Sequence, residues 1–219
     1  DESGSVEIIV DNVTRKEKHI LYIGGSPYDS NIILVKDFNS STATYNYLHK
    51  DYLGSILAIT NNTGVKIEQR HFDAWGILTH LKIGNGEVIT DQNKIINTSL
   101  FLERGYTSHE HFHELGIIHM NGRLYDPILR RFLNADENIQ EPFNTQNYNK
   151  YGYVFNNPLL FNDPSGEIAF LGITIAAAAL IKGAIVGAFI GLGAYMASVM
   201  ITNSQFKPLK ALQSFVIGA

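Results

Sequence analysis

The feature that most restricts this chain is how often its first half turns. In "SVEIIVDN", "KHILYIG", "NIILVKDF", "ATYNYL", "SILAITN" and "VKIEQRHF", short runs of Ile, Val, Tyr and Thr are cut off by Gly, Asn, Asp or Ser. β-branched and aromatic side chains suit a pleated, half-buried surface, and turn residues end it, so residues 1–100 predict short strands and hairpins. "NNTG" at 61–64 predicts a hairpin turn, because Asn and Gly accept the positive φ such turns need. A faint internal repeat lies on this pattern: Asp51 stands three before Gly54 in "KDYLGSILAIT", and Asp73 three before Gly76 in "FDAWGILTHL". In such a unit the carboxylate accepts backbone N–H groups two residues on, while Gly takes the left-handed position. The two copies also suit ordinary turns of an all-β domain. Trp75 and the many tyrosines read as packing aromatics.

From 101 to 167 the apolar periodicity fades, Asn and Pro accumulate, and a Tyr or Phe recurs every few residues. This predicts irregular loops pinned by aromatic anchors. "NADENIQEPF" predicts a short helix capped by Asn134 or Asp136. Residues 168–219 are different again. Between 168 and 202 the only charge is Lys182, and from Gly183 to Ile201 the run is apolar apart from Ser198. That reaches the lower end of membrane-spanning length. Gly183, Gly187 and Gly191 mark one helix face open to close helix packing. A buried helical hairpin fits the same residues, and 203–219 read as a short amphipathic or disordered end.

Composition narrows the chemistry. The 219 residues are 45% hydrophobic and 11% aromatic, enough for a buried core and too much for wholesale disorder. A net charge of −4 offers no basic field for nucleic acid. With no cysteine, disulfides, thiolate nucleophiles and Cys-based zinc sites are excluded. The chain opens "DESGSVEIIV", without Met or a signal pattern, and reads as the later part of a longer protein. In "HEHFH", a strand would set His109, His111 and His113 on one face, a geometry open to a metal but equally to solvated or stacked rings. No metal and no cofactor is assigned.

Five blocks then occur in order: Gly122-Arg123-Leu124-Tyr125-Asp126-Pro127, Arg131-Phe132, Asn134-Ala135-Asp136-Glu137, Asn149 through Pro158, and Asp163-Pro164-Ser165-Gly166-Glu167. Over residues 45–167 this closely resembles the Rhs repeat-associated core of bacterial Rhs/YD-repeat proteins, and the Asp-x-x-Gly units then look like the last YD repeats. The resemblance implies a mainly β fold. Residues 1–100 would be the last strands of a YD-repeat β-shell, 101–167 an irregular plug-like core, and 168–219 an apolar helical effector or delivery segment. It implies a secreted or cell-surface bacterial encapsulation protein. Its partners would be the preceding shell, a secretion or delivery machine and a membrane reached through 183–201, with no nucleic acid.

The resemblance also implies an aspartic autoprotease, as an alternative to a purely structural core. Asp136 and Asp163 match the catalytic positions, Arg123 matches the family's arginine, and the cut falls at Gly166, Glu167 and Ile168. Two carboxylates that share a proton supply acid and base together, and an arginine beside them holds one ionised. Taken without the resemblance, the Asp-Pro pairs at 126–127 and 163–164 are turn chemistry and Asp136 is a helix cap. Position 167 departs from the family, with Glu in place of Leu. A leucine would sit in an apolar pocket, where an unpaired carboxylate is costly to bury.

Overall fold

The computed structural model describes residues 6–11, 13–37, 40–137, 139, 143 and 145–171. The strand-and-turn pattern becomes one seven-stranded antiparallel meander in which each strand pairs with the next. Its strands are β1 (Val6–Val10), β2 (Glu17–Ile23), β3 (Ile32–Lys36), β4 (Thr44–Lys50), β5 (Ile56–Asn61), β6 (Lys66–Phe72) and β7 (Leu78–Ile83). In β2, Lys18, Ile20 and Tyr22 turn inward while their neighbours face out, as the two-residue period of a one-sided sheet requires. Ile20, Tyr22, Ile33, Val35, Leu48, Ile56 and Ile59 bury one face together, and Leu102 packs into them from beyond the sheet.

The turns explain the faint repeat. Asp51 Oδ1 accepts the N–H groups of Leu53 (3.0 Å) and Ser55 (2.7 Å), and Asp73 Oδ1 those of Trp75 (2.9 Å) and Ile77 (2.8 Å). Asn61 makes the same pair of bonds to Thr63 and Val65, so "NNTG" is a third copy with an amide in place of the carboxylate. Gly54, Gly64 and Gly76 close the three turns at positive φ.

After β7, α1 (Gln92–Ile96) is capped by Asp91 and packs Ile95 with Leu78, Leu81 and Leu100. Residues 101–167 are more regular than their sequence predicts. They contain a second sheet of β8 (Glu110–Phe112), β9 (Ile117–Met120), β10 (Arg123–Asp126) and β11 (Arg131–Phe132), in the order β11-β10-β9-β8. Strands of two to four residues are too short to show a period, and the aromatic anchors hold them. Tyr106, Ile118, Met120, Tyr125, Phe132, Tyr153 and Val154 form one cluster, joined by Phe72 and Trp75 from the first sheet region. The helix expected at "NADENIQEPF" is not formed by the described residues Asn134 to Glu137. The Asp136 N–H donates to the Lys150 carbonyl, and most of the rest of that stretch, 138 and 140–142, lies outside the described residues. Last, β12 (Phe161–Asn162) pairs antiparallel with β13 (Phe170–Leu171), Phe161 opposite Leu171 and Asn162 opposite Phe170. Among the described residues no helix is long and apolar enough to cross a membrane; Gly183, Gly187 and Gly191 lie outside them.

The repeated glycines are not equivalent. A Cβ on Gly76 would lie 2.8 Å from the Tyr106 ring and 3.0 Å from Ile118, whereas one on Gly54 meets nothing within 4 Å. Gly54→Ala should therefore cost only backbone strain, about 1–2 kcal/mol. Gly76→Ala should lose a further ~1–3 kcal/mol to overpacking. Urea unfolding of the two variants checks this, and equal losses would contradict it.

Candidate functional site: two carboxylates on one guanidinium

Arg123 opens β10 directly after the two-residue Asn121–Gly122 loop, opposite Met120. Its buried guanidinium lies 3.6 Å over the Phe132 ring, a contact that suits a planar, weakly hydrated cation. All three nitrogens are engaged. Nε donates to the Gly166 carbonyl and Nη1 to the Lys150 carbonyl at 3.3 Å. Nη2 meets Asp136 Oδ2 at 3.0 Å and Asp163 Oδ2 at 3.4 Å. Sharing one nitrogen, the two carboxylates are brought close together although they come from separate loops. Burial pushes Arg123 down from its ordinary value, and both aspartates pull it back.

Asp163 is placed by its own turn. Oδ1 accepts the N–H groups of Gly166 (2.8 Å), Glu167 (3.1 Å) and Ile168 (3.1 Å) and the Ser165 hydroxyl (3.1 Å). This is another Asp-x-x-Gly turn, and Gly166 has φ +75°. A Cβ at Gly166 would sit 1.8 Å from the Met120 carbonyl oxygen, so only glycine fits there. Burial raises Asp163 above the usual carboxylate range, while Arg123 and the loop N–H groups act against that rise. Asp136 is less enclosed.

Arg123, Asp136, Asp163, Lys150, Asn149 and Glu167 line a polar recess of about 40 Å³, room for a water beside both carboxylates. Glu167 does not occupy an apolar pocket, contrary to the expectation for that position. It is exposed, lying against Gly122, where a Cβ would come within 3.0 Å of its Cγ. The desolvation cost foreseen for a carboxylate at 167 therefore does not arise.

The remaining sequence candidates have other places. Asp51, Gly54, Asp73 and Gly76 build turns of the first sheet. Of the three histidines only His111 lies in a strand. His109 spends Nδ1 on the Tyr28 hydroxyl (2.9 Å) and Nε2 on the Asp163 carbonyl (3.0 Å). His111 Nε2 accepts the Tyr106 N–H at 2.9 Å, and the His113 ring stacks on His111 at 5.3 Å. Among the described residues no three His, Asp or Glu side chains converge as a metal would require. Burial lowers all three, His109 to about 3 and His113 to about 4. Sequence reasoning missed Tyr28, Asn121 and Lys150; Asn121 alone had a signal, as half of an Asn-Gly hairpin loop.

Comparison with known proteins agrees with this architecture. Residues 12–159 match the family model described as Teneurin YD-shell. The tRNA nuclease WapA of Bacillus subtilis is 27% identical over 133 residues, 61% of this chain. Salivary gland surface protein 1 of Aedes aegypti is 28% identical over 197 residues, 84% of this chain. The chain spans about 5% of the length of either relative. Among solved structures, TcdB2-TccC3 matches with a TM-score of 0.57 at 18% identity, over 74% of this chain and 7% of that one. A Tc holotoxin pore of Photorhabdus luminescens matches at 0.54 and 16%, over 77% and 8%. At such identities the likeness is one of fold.

The buried histidines give the fold a pH dependence. A histidine whose folded pKa is depressed leaves the unfolded chain binding more protons below about pH 6.5, so stability is lost as pH falls through that range. Each of the three removes about 1.4 kcal/mol per pH unit, His113 until about pH 4. Asp163 and Glu103, both raised, offset part of the loss as they take up protons in the fold. Urea unfolding between pH 7.5 and 5 should show falling stability, and His113→Gln should reduce the total loss over that range by about 2 kcal/mol. A slope unchanged in that variant would refute the assignment.

Proposed function

The chain belongs to the teneurin YD-shell family and is an Rhs/YD-repeat protein, and from that premise we propose that it is the terminal portion of a β-shell, which it closes and from which a C-terminal segment continues. One observation carries this reading. The meander has one covered edge and one open edge. β7 is covered by Ile89, which bonds back to Leu81, whereas β1 has no further partner among the described residues. Ile8 and Val10 on β1 are 56% and 43% exposed. An unpaired edge strand with exposed apolar residues is a template for another strand, and a preceding YD repeat is the partner that fits it. Residues 101–167 then serve as the associated core, and 168–219 as the effector or delivery segment of a secreted or surface toxin-type protein. A nuclease activity like the one named for WapA would reside in sequence beyond the shared portion. In the natural full-length protein, the amides of β1 turned away from β2 should exchange with solvent as slowly as those of β3. Rapid exchange there would sink the shell reading.

Self-cleavage is the second reading, favoured by Arg123 bridging both carboxylates and the Gly166 carbonyl. Asp136 activates water in the recess. As that water attacks the carbonyl carbon its proton passes to Asp136 and on to Asp163, which lies beside the Glu167 and Ile168 nitrogens and gives it to the departing amine as the C–N bond breaks. Arg123 polarises the carbonyl at the start of the susceptible stretch Gly166-Glu167-Ile168. Wild-type protein should resolve into two bands on a denaturing gel. Asp136→Asn and Asp163→Asn should each slow the cut by about 10²-fold or more. One uncut band throughout would end this reading and leave the shell reading standing.

A further inference from the structure

Four consecutive carbonyl oxygens, from Asp163 to Gly166, are each held by a separate donor. His109 Nε2 donates to Asp163 (3.0 Å) and Asn121 Nδ2 to Pro164 (2.7 Å). The Gly122 N–H donates to Ser165 (2.9 Å), and Arg123 Nε to Gly166. In a strand, successive carbonyls point to opposite sides, so a ladder engages only alternate ones from one neighbour. Holding four in a row needs this tight turn and donors placed around it. Three of the donors are the consecutive residues Asn121, Gly122 and Arg123 at the β9–β10 turn.

The fourth, His109, is fixed by a residue of the first sheet region. A carbonyl can only accept, so the proton of the neutral His109 ring is on Nε2, and Nδ1 accepts from the Tyr28 hydroxyl at 2.9 Å. The Tyr28 oxygen in turn accepts from Asn121 Nδ2 at 2.7 Å. Tyr28 thus ties together the donors to Asp163 and Pro164 and selects the His109 tautomer that can donate. Its ring also lies edge-on to His109 and beneath the Arg104 guanidinium. The His109 side chain is fully buried, so water cannot replace either bond.

We propose that Tyr28, His109 and Asn121 are positioning residues which, with Gly122 and Arg123, clamp the backbone register of Asp163–Gly166 and so decide which peptide bond lies over the two carboxylates. The consequence for cleavage rests on the self-processing reading; the clamp itself does not. Slipping the turn by one residue would bring Ser165 or Glu167, each with a Cβ, to the place where only Gly166 fits, so the clamp and the glycine select the same register.

The test uses the intact natural chain with His109→Leu, His109→Gln and Tyr28→Phe, read by the mass of the C-terminal fragment and by amide exchange at Gly166, Glu167 and Ile168. Gln retains a donor near the Nε2 position and Leu removes it; Tyr28→Phe keeps the ring if His109→Leu fails to fold. His109→Leu and Tyr28→Phe should cut about tenfold or more slowly, give fragments with mixed N-termini, and exchange the three amides about tenfold faster. His109→Gln should restore a single terminus. Folded His109→Leu or Tyr28→Phe proteins with wild-type exchange and one wild-type terminus would overturn the clamp. A wild-type chain that never cuts, with exchange that still depends on His109, would remove the self-cleavage reading and uphold the clamp.

Discussion

The fold turns on a buried ion pair in β6. Glu68 and Arg70, two residues apart and so on the same face of the strand, are both almost wholly enclosed and bonded to each other. They also bind backbone. Arg70 donates to the carbonyls of Leu102 and Arg104, and Glu68 accepts the Phe101 N–H at 2.7 Å. Lys18 reaches the Phe101 carbonyl from β2. The segment 101–104, which leads out of the first sheet, therefore has the Phe101 N–H and the Phe101, Leu102 and Arg104 carbonyls met by side chains of the sheet. A buried pair of this kind stabilises only when its remaining donors and acceptors are met, and here the crossing backbone meets them. The described residues from 105 to the Asp163 turn are placed from that joint. Gly105 accepts the Ile56 N–H, Thr107 donates to the Ser55 hydroxyl, and Ser108 donates to the Gly54 carbonyl. Those bonds bring His109 to the Asp163 turn.

Arg123 repeats the same logic at the candidate site, where one planar cation answers two carboxylates, two carbonyls and an aromatic face. A lysine would offer a point charge without the fixed fork and could not hold those groups in one plane. Asp163 is divided between two tasks. Oδ1 builds the turn and Oδ2 faces the guanidinium, so the residue that shapes the loop also supplies its charge.

Much of this was legible in the sequence wherever the determinant is local. The meander follows from apolar runs and turn residues, and Asp51 and Asp73 make the bonds their side chains predict, which Asn61 repeats without having been foreseen. Arg123, Asp136 and Asp163 come together as the resemblance implied, although neither their spacing nor their composition required it. What could not be read depends on distant partners. β8 to β11 are too short to carry a pattern and exist because Tyr106, Tyr125 and Tyr153 pack over them. Tyr28 acts on His109 across 81 positions of chain. Glu167 faces outward because the turn geometry, which the residue type does not set, points it there.

The pairing of β12 with β13 encloses the Asp163–Ile168 turn between two strands that face each other across it. A chain severed inside that turn would not come apart at once, since Phe161 and Asn162 on one side remain hydrogen-bonded to Phe170 and Leu171 on the other. Scission and departure would thereby be two separate events with two separate barriers. The second is low in local terms, because a pairing of two residues a side is marginal by itself. A pull on either strand would undo it without any further covalent bond being broken.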